Sequence, residues 1–202
     1  MDPQYNSSQQ YSSSPYSSYN AAPAIPGGWL VVSRGHMIGF AIGTLIFWLL
    51  ILTARQQFVF IVDHVNLAIH EAGHIVFLPF GDTLQMWGGT LLQCMVPLGI
   101  GVYFWLRRQT AGVAVAGLWL GENFLNVARY AADAKARALP LVGGGRHDWQ
   151  FIFNKLGCIN SCETIASGIY FAGWVIMIAA AMWYVWRWRV SEEYAQQNAT
   201  SH

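Results

Sequence analysis

The chain has 202 residues, of which 54% are hydrophobic and only 10% charged, with eleven basic and ten acidic side chains for a formal net charge of +1. Soluble domains carry about 25% charge, so the composition excludes an ordinary water-facing domain, and the near-zero net charge excludes electrostatic capture of nucleic acid as the main activity. Ten tryptophans and eleven phenylalanines suit a chain in contact with lipid, because aromatic rings collect at membrane interfaces.

Residues 1–28 are dominated by Ser, Tyr, Gln and Pro, with seven serines and four tyrosines. Such a segment buries too little surface to offset chain entropy. We therefore expect a disordered tail over 1–33, a transmembrane domain over 34–190 and a polar C-terminal tail over 191–202. No secretory signal is apparent, since the first apolar run starts near Met37. A spanning helix needs about 20 mostly apolar residues, and five stretches qualify: 37–54, 58–80, 84–106, 111–131 and 164–186. The only long connection, 132–163, holds Pro140, the triplet Gly143, Gly144 and Gly145, and the short apolar run 151–159.

Backbone polar groups in lipid must be satisfied within the chain, so the expected fold is all-α: a polytopic transmembrane bundle of about five helices. Continuous apolar runs exclude a β-barrel. Gly117 and Gly121 form a GxxxG on the fourth helix, a spacing that serves close helix packing or a homo-oligomer. Arginines at the helix ends mildly favour a cytoplasmic C-terminus. The expected location is a bacterial inner membrane or its equivalent. Three widely spread cysteines support no disulfide framework, and Cys158 and Cys162 have no further ligands at zinc spacing.

The second helix contains His70-Glu71-Ala72-Gly73-His74, an HExxH. Histidines at i and i+4 leave one helix face a turn apart and can reach one Zn²⁺, while the glutamate beside them can take a proton from metal-bound water. From composition alone the expected number of such matches is about half a per cent. Ionisable groups at the centre of a spanning helix cost about 2.5–3.5 kcal/mol each, so three in five residues point to a role. Gly73 leaves space for another backbone. Asp63 and Asn66 share the face of His70 and are candidate outer partners, Asp63 through water or another helix; His64 points elsewhere.

Tetrahedral catalytic zinc takes three protein ligands and a water. The fourth helix carries Glu122, Asn126, Arg129 and Asp133 on one face. If the second and fourth helices cross in the same direction, Glu122 lies at the depth of His70 and can complete the site, with Asn126 and Arg129 around it. His147 and Asp148, just after the glycine triplet, are competing ligands, and Asp133 is a further one. Without a metal role, Glu122 is expected to pair with Arg129. Gln93 on the third helix, near the helix-perturbing Pro97, suits either substrate binding or inter-helix packing.

These residues resemble a membrane-embedded zinc metallopeptidase of the site-2-protease type. The resemblance rests on HEAGH within a spanning helix, several spans and a downstream polar stripe. It implies peptide hydrolysis in or near the membrane, with His70 and His74 as zinc ligands, Glu71 as base, a downstream aspartate as third ligand, and a peptide or membrane-protein substrate. The chain departs from the family in lacking its Asp-Gly motif. A His-His-Glu set would instead resemble membrane-embedded gluzincins. A different class remains beside it: a non-catalytic membrane protein using the same cluster for metal binding, ion passage or assembly.

Overall fold

The computed structural model describes residues 24–54, 59–140 and 146–200. It is almost entirely helical. A two-stranded antiparallel hairpin, β1 (Ala24–Ile25) and β2 (Trp29–Leu30), precedes six helices: α1 (Arg34–Thr53), α2 (Phe60–Phe77), α3 (Asp82–Leu106), α4 (Thr110–Ala132), α5 (Asp148–Lys155) and α6 (Cys162–Thr200). Single 3-10 turns at Leu78–Phe80 and Ile159–Ser161 lead into α3 and α6.

Among the described residues, three helices are long and apolar enough to cross a membrane: α1, α3 and the segment of α6. This is fewer than the five expected. The regions 58–80 and 111–131 do form α2 and α4, but both carry buried polar side chains: Asp63, Asn66 and His70 on α2, and Glu122 and Asn123 on α4. These lower their hydropathy. The last helix also runs past the arginines at 187 and 189, so the polar C-terminal segment is helical over residues 191–200.

Of the tail expected over 1–33, residues 1–23 lie outside the described residues, and residues 24–33 hold the hairpin and the cap of α1. Ile25, Trp29 and Val32 are buried. Gly27 and Gly28 take positive φ and turn the hairpin, a conformation glycine adopts without steric cost. The Trp29 ring packs edge-on against Trp105 and Trp183, with the Arg187 guanidinium 4.8 Å from its centroid. The hairpin therefore closes the end of the bundle where α3 finishes. Ser33 then caps α1, its hydroxyl accepting from the His36 N–H at 3.2 Å.

The main packing interfaces join α4 to α6, α2 to α3 and α3 to α4. The GxxxG spacing serves packing within the chain. A Cβ on Gly121 would lie 2.6 Å from the Gly173 carbonyl oxygen of α6, and one on Gly117 would lie 2.7 Å from the Ala180 Cβ. The glycine triplet 143–145 lies outside the described residues. The connection that contains it carries α5, whose buried Trp149, Ile152 and Phe153 pack into a cluster with Met86 of α3, Val127 and Ala131 of α4 and Ala166 of α6. That anchoring positions the first residue of α5.

Candidate metal centre

The site begins with the close approach of α2 and α3. A Cβ on Gly73 would stand 2.2 Å from the Gly88 carbonyl oxygen, and one on Gly89 would stand 2.5 Å from His70 Nε2. Only glycine allows the helices this close and leaves room for the His70 ring. Gly73 thus does what its place in the motif suggests, and its partner is Gly88.

Each imidazole is then oriented from α3. His70 Nδ1 lies 3.0 Å from Gln93 Oε1, and His74 Nδ1 lies 2.7 Å from the Gln85 carbonyl oxygen. Both partners are acceptors, so each Nδ1 donates to α3, and each Nε2 is the atom that would offer its lone pair to a bound ion. The two Nε2 atoms converge on one oxygen: Asp148 Oδ2 is 2.9 Å from His70 and 3.1 Å from His74. His70 and Asp148 are buried, and His74 is half-buried.

Three donors with converging lone pairs are the chemistry of a cation site. The ligand atoms all lie within 4.8 Å of one another. A tetrahedral ion with bonds of about 2.1 Å holds its donors about 3.4 Å apart, near the 2.9 and 3.1 Å that separate Asp148 Oδ2 from the two imidazoles. The histidines with Nδ1 bound to outer acceptors match the usual support of metal-bound imidazoles. A largely buried His/His/Asp cluster able to coordinate a divalent metal is therefore present in a membrane-type helical bundle.

Asp148 reaches this position as the first residue of α5. The His147 side chain caps that helix, with Nδ1 accepting from the Gln150 N–H at 3.3 Å, and the Asp148 N–H donates to the Tyr130 hydroxyl at 3.3 Å. Burial pushes the Asp148 carboxyl upward, but hydrogen bonds from His70 and His74 outweigh it and hold the group below its ordinary value. Burial also pushes the His147 imidazole down, with Asp133 opposing in part.

The other candidate ligands have different partners. Glu122 is buried and accepts from Asn66 Nδ2 at 2.7 Å. Its depth on α4 matches Asn66, one turn before His70. Asn66 in turn accepts from Trp119 Nε1 at 2.8 Å, so it serves Glu122 rather than His70. Asp133 closes the turn after α4, accepting from the N–H groups of Ala138 and Leu139, and lies 3.4 Å from His147 Nε2. His147 is a capping residue whose ring stacks on Tyr130 at 4.3 Å. Asp63 accepts from Asn126 and from the Val59 N–H, with an Arg129 nitrogen 3.9 Å away. Gln93, buried, joins Asn126 to His70. His64 is exposed beside Phe60.

Glu71 is half-buried on the turn between the two histidines. Two participants escape the sequence reading. The Gln85 contribution is a backbone carbonyl and leaves no trace in residue type. Tyr130, whose ring centroid is 5.8 Å from that of His70, does have a signal: it continues the spacing of four from Glu122 and Asn126.

The chain matches no protein-family model, and comparison with curated proteins and with solved structures returns no match.

Proposed function

We propose that the chain is an integral membrane zinc metallopeptidase that hydrolyses peptide bonds in or near the membrane. The observation that carries this reading is the convergence of His70 Nε2, His74 Nε2 and Asp148 Oδ2 on one point, with Glu71 on the intervening turn. In this reading α2 and α4 also cross the membrane. Their polar faces are turned inward, as intramembrane ionisable groups require.

His70, His74 and Asp148 would hold the ion, which when bound would supply a water of lowered pKa and an electrophile for the substrate carbonyl. Glu71 removes a proton from the attacking water and passes it to the departing amine. Gln93 and the Gln85 carbonyl hold the imidazoles still. Tyr130 holds the Asp148 backbone. The His-His-Asp set resembles the site-2-protease type in ligand chemistry and departs from the His-His-Glu alternative, because Glu122 is occupied elsewhere.

The test uses the full chain reconstituted in vesicles with zinc and a panel of internally quenched transmembrane peptides. Wild type is expected to cleave at least one, to be stopped by a hydroxamate and to retain about one zinc per chain. Glu71→Gln is expected to keep the zinc and lose cleavage. Retained cleavage in that variant sinks the mechanism. Zinc retained by a wild type that hydrolyses nothing assigns the cluster to non-catalytic metal binding.

A further inference from the structure

We propose that Asp63 sets the tautomer of His70 from two turns away, through Asn126 and Gln93, and so determines whether the imidazole nitrogen that faces the metal position is open to an ion. The consequence for zinc affinity rests on the metallopeptidase reading; the proton position on His70 does not.

The chain of hydrogen bonds runs α2 to α4 to α3 and back to α2. Asp63 and His70 are seven residues apart, about 10.5 Å along the helix, too far to touch. Asp63 is 1% exposed, and its carboxylate takes the Val59 N–H, the Asn126 amide and the nearby Arg129 guanidinium. Facing these donors it acts only as an acceptor. Asn126 must therefore turn its Nδ2 towards Asp63 and its Oδ1 towards α3.

That orientation is passed on. Asn126 Oδ1 accepts from Gln93 Nε2 at 2.9 Å. The other Gln93 amide atom, Oε1, is then the one 3.0 Å from His70 Nδ1. A carbonyl oxygen cannot donate, so Nδ1 carries the proton, and Nε2, 2.9 Å from Asp148 Oδ2, is the nitrogen that would ligate an ion. Each amide has two orientations of equal shape. The acceptor at the end of the line selects one of them.

The device acts by direction, so reversing its end should reverse every link. In Asp63→Asn the Val59 N–H still needs the side-chain oxygen, which leaves the new NH₂ facing Asn126. Asn126 then turns its NH₂ to Gln93, and Gln93 turns its own to His70. His70 Nδ1 becomes the acceptor, and Nε2 carries a proton where the ion belongs. A carboxylate placed at position 93 accepts from both His70 Nδ1 and Asn126, whatever stands at position 63. Gln93→Glu should therefore restore the tautomer in the Asp63→Asn background.

The experiment uses the full chain in detergent, labelled with ¹⁵N at histidine. Long-range ¹H–¹⁵N spectra report whether His70 Nδ1 is protonated, and chelator competition measures affinity for Zn²⁺ alone. In wild type Nδ1 is expected to be protonated with and without zinc. Asp63→Asn should remove that proton and weaken zinc binding about 10–100-fold, the usual effect of an outer partner. Adding Gln93→Glu should recover both. An affinity loss with Nδ1 still protonated, or one that Gln93→Glu does not rescue, overturns the proposal and leaves Asp63 a structural residue. A tautomer change with rescue in a chain that binds no zinc upholds the relay and overturns the metal reading. If Asp63→Asn fails to fold, Asn126→Ala cuts the same line, and the same rescue decides.

Discussion

His70 and His74 owe their ligand character to what lies behind them as much as to their spacing. Each Nδ1 meets an acceptor from α3, which leaves each Nε2 aimed at Asp148. The order of the candidate third ligands follows at this scale. Asp148→Ala should lower zinc affinity by more than the roughly 10–100-fold typical of an outer partner, seen as a drop in zinc per purified chain. Glu122→Gln and Asp133→Asn should retain zinc, since Glu122 answers Asn66 and Asp133 answers backbone N–H groups. His147→Asn should retain it too, because asparagine caps a helix well. Zinc loss in Glu122→Gln with Asp148→Ala unaffected would reverse the assignment. The HExxH itself was legible from residue types at a helical spacing. Which carboxylate joins it was not, because Asp148 is 74 positions beyond His74 and four acidic or imidazole candidates had equal chemistry.

At the scale of elements, the small residues explain how the helices come close. Gly89 stands where a methyl group would lie 2.5 Å from His70 Nε2. Gly89→Ala is expected to displace that ring and empty the zinc site while circular dichroism shows the helical content preserved. Gly121→Ala makes its clash elsewhere, against Gly173 and Met177 on α6. It should cost about 1–3 kcal/mol of stability, as overpacking does, and lower the melting temperature with zinc stoichiometry unchanged. Apolar runs made α1 and α3 readable, and helical periodicity made the stripe on α4 readable. The short α5 was visible only as an apolar run, since eight residues carry little periodic signal. Continuation of α6 through residue 200 was hidden because its last turns are polar, and polar sequence does not distinguish an exposed helix from a tail.

Across the whole molecule the two ends of the bundle are built differently. Trp29, Trp105 and Trp183 close one end with aromatic packing. The metal cluster lies towards the other, beside Gln85, three residues into α3 and so about 5 Å from its start. Because the cluster joins α2 to the start of α5, an ion there ties together segments far apart in sequence. Chelation should therefore lower the melting temperature, and zinc at about 1,000 times its dissociation constant should return about 4 kcal/mol. A melting temperature indifferent to zinc and chelator would contradict a bridging ion. The sequence by itself determined an all-α membrane-type chain and two imidazoles with a glutamate on one helix, because apolar run length and helical spacing are local properties. Tertiary structure decided that Asp148 completes the cluster, that Glu122 does not, and that Asp63 reaches His70 through two other helices. Those outcomes depend on which side chains meet across α2, α3, α4 and α5, and no local pattern specifies that meeting.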